Sequence, residues 1–284
     1  MRAVSVAWNG RRRAARALVA LALLATLSGC ATRTAPAPVR PAHPQVAIAG
    51  AITAPAAGSC ARPAAGYHSL DGTAVIALLG PPPDVQGEAQ QRELDAVLAV
   101  QRAARGTPRR AQAIADSTAS CARFADALGA EVPAAALPFL DRVAWQASAA
   151  TGAAKRHYRR ARPYVGHPAV ERLADAAASP AEAADKDAAD AHDYSSYPSG
   201  HSAFGAACAI LLADMVPERA AALFERARSY AESREIVGAH FPRDVEAGRA
   251  AGALAMASIR QDACFREDEA QARKAVRAAL QPPN

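Results

Sequence analysis

Tyr197-Pro198-Ser199-Gly200-His201 runs directly into the apolar stretch Ala203 to Val216, and the way these residues join decides how the chain is read. A small hydroxyl, a glycine and an imidazole in succession at the entry of a helix bring unpaired backbone N–H groups and the positive end of the helix dipole to one point, where an anion belongs. Gly200 lets the backbone come close to such a group. His201 would stand beside it with a proton that it holds or releases near neutral pH. Alone, the pentapeptide is equally an ordinary capped turn ahead of a helix, and its neighbours decide between the two.

Outside that stretch, apolar residues recur at helical rather than alternating spacing, alanine dominates, and aromatics are only 5% of the 284 residues. The pattern predicts an all-α, single-domain helical bundle. The formal charge is +6, but five arginines lie in the first sixteen residues with no acidic residue among them, so the remainder carries only +1. No nucleic-acid partner is expected from that balance. Residues 1–29 read as an export signal: an arginine-rich start, then Ala17 to Leu27, too short to span a bilayer. The signal ends Leu27-Ser28-Gly29-Cys30, which resembles the bacterial lipobox and implies acylation of Cys30. A periplasmic domain held to the cell envelope, with the outer membrane as the expected site, follows. No later apolar run is long enough to cross a membrane, so a lipid anchor is the expected membrane contact. Residues 30–66, rich in alanine and proline, read as a disordered tether, and residues 67–284 as the folded domain.

Setting Cys30 aside leaves Cys60, Cys121, Cys208 and Cys264, which allow three pairings. Cys208, inside the apolar run, suits a buried thiol as well as a bridge. There is no Cys-x-x-Cys pair or close His/Cys cluster, so no metal site is expected. Val75 to Leu79 ends at Gly80-Pro81-Pro82-Pro83, and Leu94, Val97 and Leu98 mark the next helix. Thr107-Pro108 opens a helix expected to reach about Leu128 and to serve core packing alone. Another is expected after Pro138, turning Phe139, Leu140, Val143 and Trp145 inward and continuing towards Lys155. Ala174 to Ala191 is a low-complexity insert around Pro180, and amphipathic segments follow over Glu218–Ser233, Pro242–Ile259 and Glu267–Leu280.

Two further stretches supply what an anion pocket lacks. In Lys155-Arg156-His157-Tyr158-Arg159-Arg160-Ala161-Arg162-Pro163, Lys155 and Arg162 are two helical turns apart, so that one helix face would carry both until Pro163 ends it. In Ser233-Arg234-Glu235-Ile236-Val237-Gly238-Ala239-His240-Phe241-Pro242-Arg243-Asp244, His240 and Asp244 are four apart. A carboxylate so placed on a helical turn accepts from one imidazole nitrogen and leaves the other free to attack. Arg234 adds a planar fork for oxyanions.

Together these residues resemble the K-x6-R-P, P-S-G-H and S-R-x5-H-x3-D signatures of the type 2 phosphatidic acid phosphatase superfamily, which also contains vanadium haloperoxidases. Pro81-Pro82-Pro83, Ser196-Tyr197 and Gly238-Ala239-His240 extend the likeness to the bacterial class A non-specific acid phosphatases, over roughly Val75 to the C-terminus. The insert near Lys186 departs from it. The resemblance implies a helical bundle of the acid phosphatase/haloperoxidase type that hydrolyses phosphate monoesters without cofactor or metal. In it, Lys155, Arg162 and Arg234 hold phosphate oxygens, and the Ser199 hydroxyl and Gly200 N–H complete the cradle. His240 attacks phosphorus to give a phosphohistidine, Asp244 orients it, and His201 protonates the leaving alkoxide. His157 and His192 are read as rim residues, and His43, His68 and His167 as surface. A vanadate-dependent haloperoxidase is the alternative, though the chain lacks that branch's extra helical region. A lipid phosphatase is another, though those relatives carry membrane spans. The oligomeric state, including a homo-oligomer, stays open.

Overall fold

The computed structural model describes residues 66–68, 70–173 and 192–281. The expected signal, Cys30, the tether, Cys60 and the insert near Lys186 lie outside the described residues. What is described is helical throughout. Its axis is the run that follows the Pro-Ser-Gly-His stretch, here a helix over Gly200–Met215. That helix is apolar on every side, and Phe204, Ala207, Cys208, Leu211 and Leu212 are wholly inside. A helix without a polar face has to be enclosed. Helices Leu137–Ala149, Ala220–Ile236 and Pro242–Ile259 enclose it.

In chain order the helices are α1 (Gly72–Leu79), α2 (Glu88–Ala104), α3 (Pro108–Ala115), α4 (Ala125–Leu128), α5 (Leu137–Ala149) and α6 (Gly152–Tyr158). They continue with α7 (Gly200–Met215), α8 (Ala220–Ile236), α9 (Pro242–Ile259) and α10 (Ala263–Ala279). The α7–α9 crossing is made possible by two glycines. A Cβ on Gly248 would fall 2.2 Å from the Ser199 carbonyl oxygen, and one on Gly252 would fall 2.4 Å from that of Ala203. The backbones therefore meet at the very start of α7. At its middle, Cys208 is bridged to Cys121 of a 3₁₀ turn, Cys121–Phe124, across 87 residues of sequence. Cys264 is disulfide-bonded as well. Tyr67 stacks edge-on with Phe139 and Phe265, closing the described N-terminal end onto α5 and α10. α10 starts at Ala263, before the expected Glu267, because Asp262 caps it through Cys264 N at 2.7 Å.

Three expected elements are corrected. The helix opened by Thr107-Pro108 stops at Ala115, well short of Leu128. Asp116, 1% exposed, turns its carboxylate inward to Arg226 Nη2 at 2.5 Å and the Ser233 hydroxyl at 2.7 Å, and the chain turns with it. The helix after Pro138 breaks at Ala149 before α6 begins. There the Thr151 hydroxyl bonds the Ser148 carbonyl at 2.8 Å, and the Ser148 hydroxyl bonds the Gly200 carbonyl at 3.0 Å. Such local hydroxyl bonds compete with the helical ladder. Third, Lys155 and Arg162 do not share a helix: α6 ends at Tyr158, and Arg159 takes a left-handed conformation at φ 44°. Residues 160–162 run beside 193–196, with Arg162 N donating to the Asp193 carbonyl at 2.8 Å and Ser196 N to that of Arg160 at 3.0 Å.

Candidate active site

The N-terminus of α7 is built as the sequence suggests. Ser199 is its N-cap, and its hydroxyl accepts from Ser202 N at 3.2 Å. Gly200 takes the first helical position, where a Cβ would lie 3.0 Å from the Ser148 hydroxyl and 3.8 Å from Cε of Lys155. Lys155 reaches over from α6 to the Ser195 carbonyl. Ser199 N donates to the Asp244 carbonyl at 2.9 Å, which docks the start of α9 against the start of α7.

Arg162, 2% exposed, projects into the same place from the segment after α6. Its Nε donates to the His192 carbonyl at 2.9 Å and its Nη2 to the Ser195 hydroxyl at 3.2 Å. Its Nη1 donates to the Ala239 carbonyl at 2.9 Å and lies 3.2 Å from His240 Nε2. Because a guanidinium only donates, that nitrogen of His240 carries the lone pair and Nδ1 the hydrogen. His240 Nδ1 stands 3.7 Å from Asp244 Oδ2, an ion-pair distance rather than a hydrogen bond. The expected imidazole–carboxylate bond on one helical turn is corrected to that extent: His240 precedes α9, whose first residue is Pro242.

Asp244 is instead saturated by others. It accepts from Arg160 Nη1 at 2.5 Å, the Ser196 hydroxyl at 2.6 Å and Phe241 N at 2.9 Å. The last of these caps α9 from its first turn, where the helix dipole also favours a negative charge. Burial works against the ionised carboxylate, but nearby His240, the Arg160 cation and the Ser196 hydroxyl outweigh it and hold its pKa at about 2.

The opposite wall comes from the turn after α3. The carbonyl of Ser117 lies 2.9 Å from His201 Nε2, so that nitrogen carries the hydrogen and Nδ1 is the one free to work. The hydroxyl of the same residue accepts from Arg234 Nη1 at 2.9 Å. Arg234 is wholly buried, and its Nε and Nη2 have no partner. Burial and then the Arg162 cation bring its pKa from the ordinary 12.5 down to about 10. The two rings feel the same field. Burial first and Arg234 next push His201 well below its usual value, while burial and Arg162 do the same to His240.

Lys155, Arg162, Ser199, Gly200, His201, Arg234, His240 and Asp244 are thus joined in one connected cluster. His192 borders it through its carbonyl, whereas His157 is exposed and meets the Tyr158 ring edge-on outside it. His68 is exposed, His167 is half-buried, and His43 lies outside the described residues. Arg160 and Ser196, though quoted in the stretches above, were given no role, and Ser195 was not singled out. The turn at Asp116 and Ser117, read as core packing only, is part of the site. Among the described residues no group of three or more His, Cys, Asp or Glu is placed to hold a metal ion.

The protein belongs to the PAP2 superfamily, which it matches over residues 143–264, and to its class A-type acid phosphatase branch. It is 30% identical over 226 residues to an acid phosphatase of Zymomonas mobilis, an alignment that spans 77% of this chain and 80% of the relative. A non-specific acid phosphatase of Salmonella typhimurium is 35% identical over 127 residues, 44% of this chain and 46% of that one. One from Providencia stuartii is 28% identical over 201 residues, 68% and 76% of the two chains. Among the described residues no helix is long and apolar enough to cross a membrane.

Proposed function

We propose that the protein hydrolyses phosphate monoesters through a phosphohistidine on His240, with no metal required. The observation that carries this reading is Arg234, a fully buried guanidinium with two unpaired nitrogens. A buried cation left so incompletely paired costs several kcal/mol unless an anion completes it. A phosphoryl group between Arg234, Arg162 and Lys155, with the Ser199 hydroxyl and Gly200 N–H beneath it, supplies that anion. Charge that spreads over the equatorial oxygens during transfer is then met by fixed donors.

In the first step the Nε2 lone pair of His240 forms a bond to phosphorus while the bond to the leaving oxygen breaks, and His201 Nδ1–H passes its proton to that oxygen. In the second, water gives a proton back to His201 Nδ1 as its oxygen attacks phosphorus and the P–N bond breaks, releasing inorganic phosphate. Before the first step Arg162 Nη1 must leave His240 Nε2, and an incoming phosphate oxygen provides it with a better partner. The same dianion offsets the cations that keep His201 neutral and raises its hold on a proton. A base in one ring and an acid in the other give a bell-shaped rate profile on the acid side.

Export by the signal over residues 1–29 and anchoring through Cys30 belong to this reading, supported by the sequence alone. The test is turnover of 4-nitrophenyl phosphate with a chelator present, in wild type, His240→Ala and His201→Ala. Activity that survives the chelator and is lost in both variants is expected. Full activity in His240→Ala would remove the nucleophile from the scheme.

A further inference from the structure

Arg160 belongs to none of the roles assigned above, yet it is 4% exposed and holds Asp244 in two ways. Its Nη1 donates to Asp244 Oδ1 at 2.5 Å. Its carbonyl accepts from Ser196 N at 3.0 Å and so positions the Ser196 hydroxyl, which bonds Asp244 Oδ2 at 2.6 Å. The guanidinium lies over the Phe241 ring, 4.3 Å from its centre, and Phe241 N bonds the same Oδ2 at 2.9 Å. On its far side Nη2 donates to Gln90 and, at 2.5 Å, to Glu93 of α2. Glu93 also accepts from Arg243 N, in the first turn of α9.

We propose that Arg160 is a positioning residue that fixes Asp244 and sets how much of that carboxylate's charge reaches His240. This rests on the reading of His240 as the nucleophile. Asp244 alone would make the ring more basic and keep it protonated, hence inert, in the acid range where the enzyme is to work. With Arg160 bonded to its outer oxygen, the carboxylate still orients the ring but carries less net charge towards it. Glu93 in turn takes up part of the Arg160 charge. The other titratable and charged groups near the ring are Lys155 from α6 and Arg162 from the segment after it, with His201 of α7 and, next to His201, Arg234 of α8. Burial and the charges of Glu232, Glu93 and Asp244 raise the pKa of Glu235 of α8. Arg160 is therefore the cation set between two carboxylates, Asp244 and Glu93.

The two sides of one cation give changes of opposite sign, which general loosening of the fold would not. The imidazole titration of His240 is followed by NMR in full-length wild type, Arg160→Met, Arg160→Lys and Glu93→Gln, with His240→Gln to assign the signal. Alongside it, the acid limb of kcat/KM for 4-nitrophenyl phosphate is recorded. Arg160→Met is expected to raise the protonation constant of His240 about tenfold and move the acid limb to higher pH. Glu93→Gln is expected to lower both, and Arg160→Lys to restore wild-type behaviour. An unmoved titration in Glu93→Gln, or a shift of the same sign in Arg160→Met and Glu93→Gln, overturns the proposal. If Arg160→Met does not fold, Glu93→Gln decides alone. If the wild type turned over no phosphate ester while the titrations moved as stated, the phosphatase reading would fall and the role of Arg160 in setting His240 would stand.

Discussion

Replacing Arg234 by methionine should stabilise the protein while disabling it. The pKa of this group falls from 12.5 to about 10, so its charged form is disfavoured by about 3 kcal/mol relative to water. Methionine has similar length and no charge to bury, and the change forfeits one charged hydrogen bond, to the Ser117 hydroxyl, worth about 1.5 kcal/mol. A net gain of about 1–2 kcal/mol remains, which for a domain of this size raises Tm by roughly 2–8 °C. Phosphate reverses the order. On the proposed reading, phosphate at a hundred times its Kd should stabilise the wild type by about 2.7 kcal/mol, and the variant should lack the buried donors expected to bind it. Thermal melts with and without inorganic phosphate read both effects, and kcat/KM for an aryl phosphate should fall by about 10²–10³. A variant that melts below wild type in phosphate-free buffer and still responds to phosphate would refute the argument that Arg234 is held in place for an anion.

Gly248→Ala puts a methyl 2.2 Å from the Ser199 carbonyl and should cost about 1–3 kcal/mol in urea unfolding, with kcat/KM reduced because the N-cap of α7 is pushed off α9. Opening the Cys121–Cys208 bridge, whose ends are 87 residues apart, should cost about 4–5 kcal/mol by chain entropy, read as a lower urea midpoint for Cys121→Ser with Cys208→Ser. Acid should weaken the fold in two stages, because the unfolded chain binds protons that the native one refuses. His201 and His240 begin to cost stability as pH falls below 6.5, and Asp244 does so between its ordinary 3.8 and about 2. Glu235 has the opposite sign: burial and its acidic neighbours raise it from 4.5 to about 7, so its contribution is full below 4.5 and lost as pH rises through 7. Glu235→Gln should accordingly match wild type at pH 4 and exceed it at pH 8 by up to about 3 kcal/mol. Equal urea midpoints at pH 8 would contradict this.

The parts of the fold that could be read in advance are those governed by near neighbours in sequence. Ser199 before a run of apolar residues is a cap before a buried helix, and Pro242 opens α9 with Asp244 in its first turn. The parts that could not be read depend on distant partners. Asp116 looks like one more polar residue in an alanine-rich helix until Arg226 and Ser233 are beside it. Ser117 holds His201 through a backbone carbonyl, which leaves no mark on residue identity. Lys155 and Arg162 both reach the cluster, but not from one helix face as their spacing suggested. Arg159 turns left-handed, the chain leaves the helix, and Arg162 reaches the cluster from a non-helical segment braced by the Asp193 carbonyl. Arg160 was hidden among neighbouring basic residues because only its contact with Asp244 distinguishes it.

The closeness of Arg162 Nη1 to His240 Nε2, at 3.2 Å, has an outcome for chemical selectivity. A reactive imidazole open to its surroundings would be consumed by any stray acylating or alkylating electrophile. Here the guanidinium covers that nitrogen. In the mechanism proposed above, an ester carrying oxyanions would draw it away and so unlatch the atom that is to attack it.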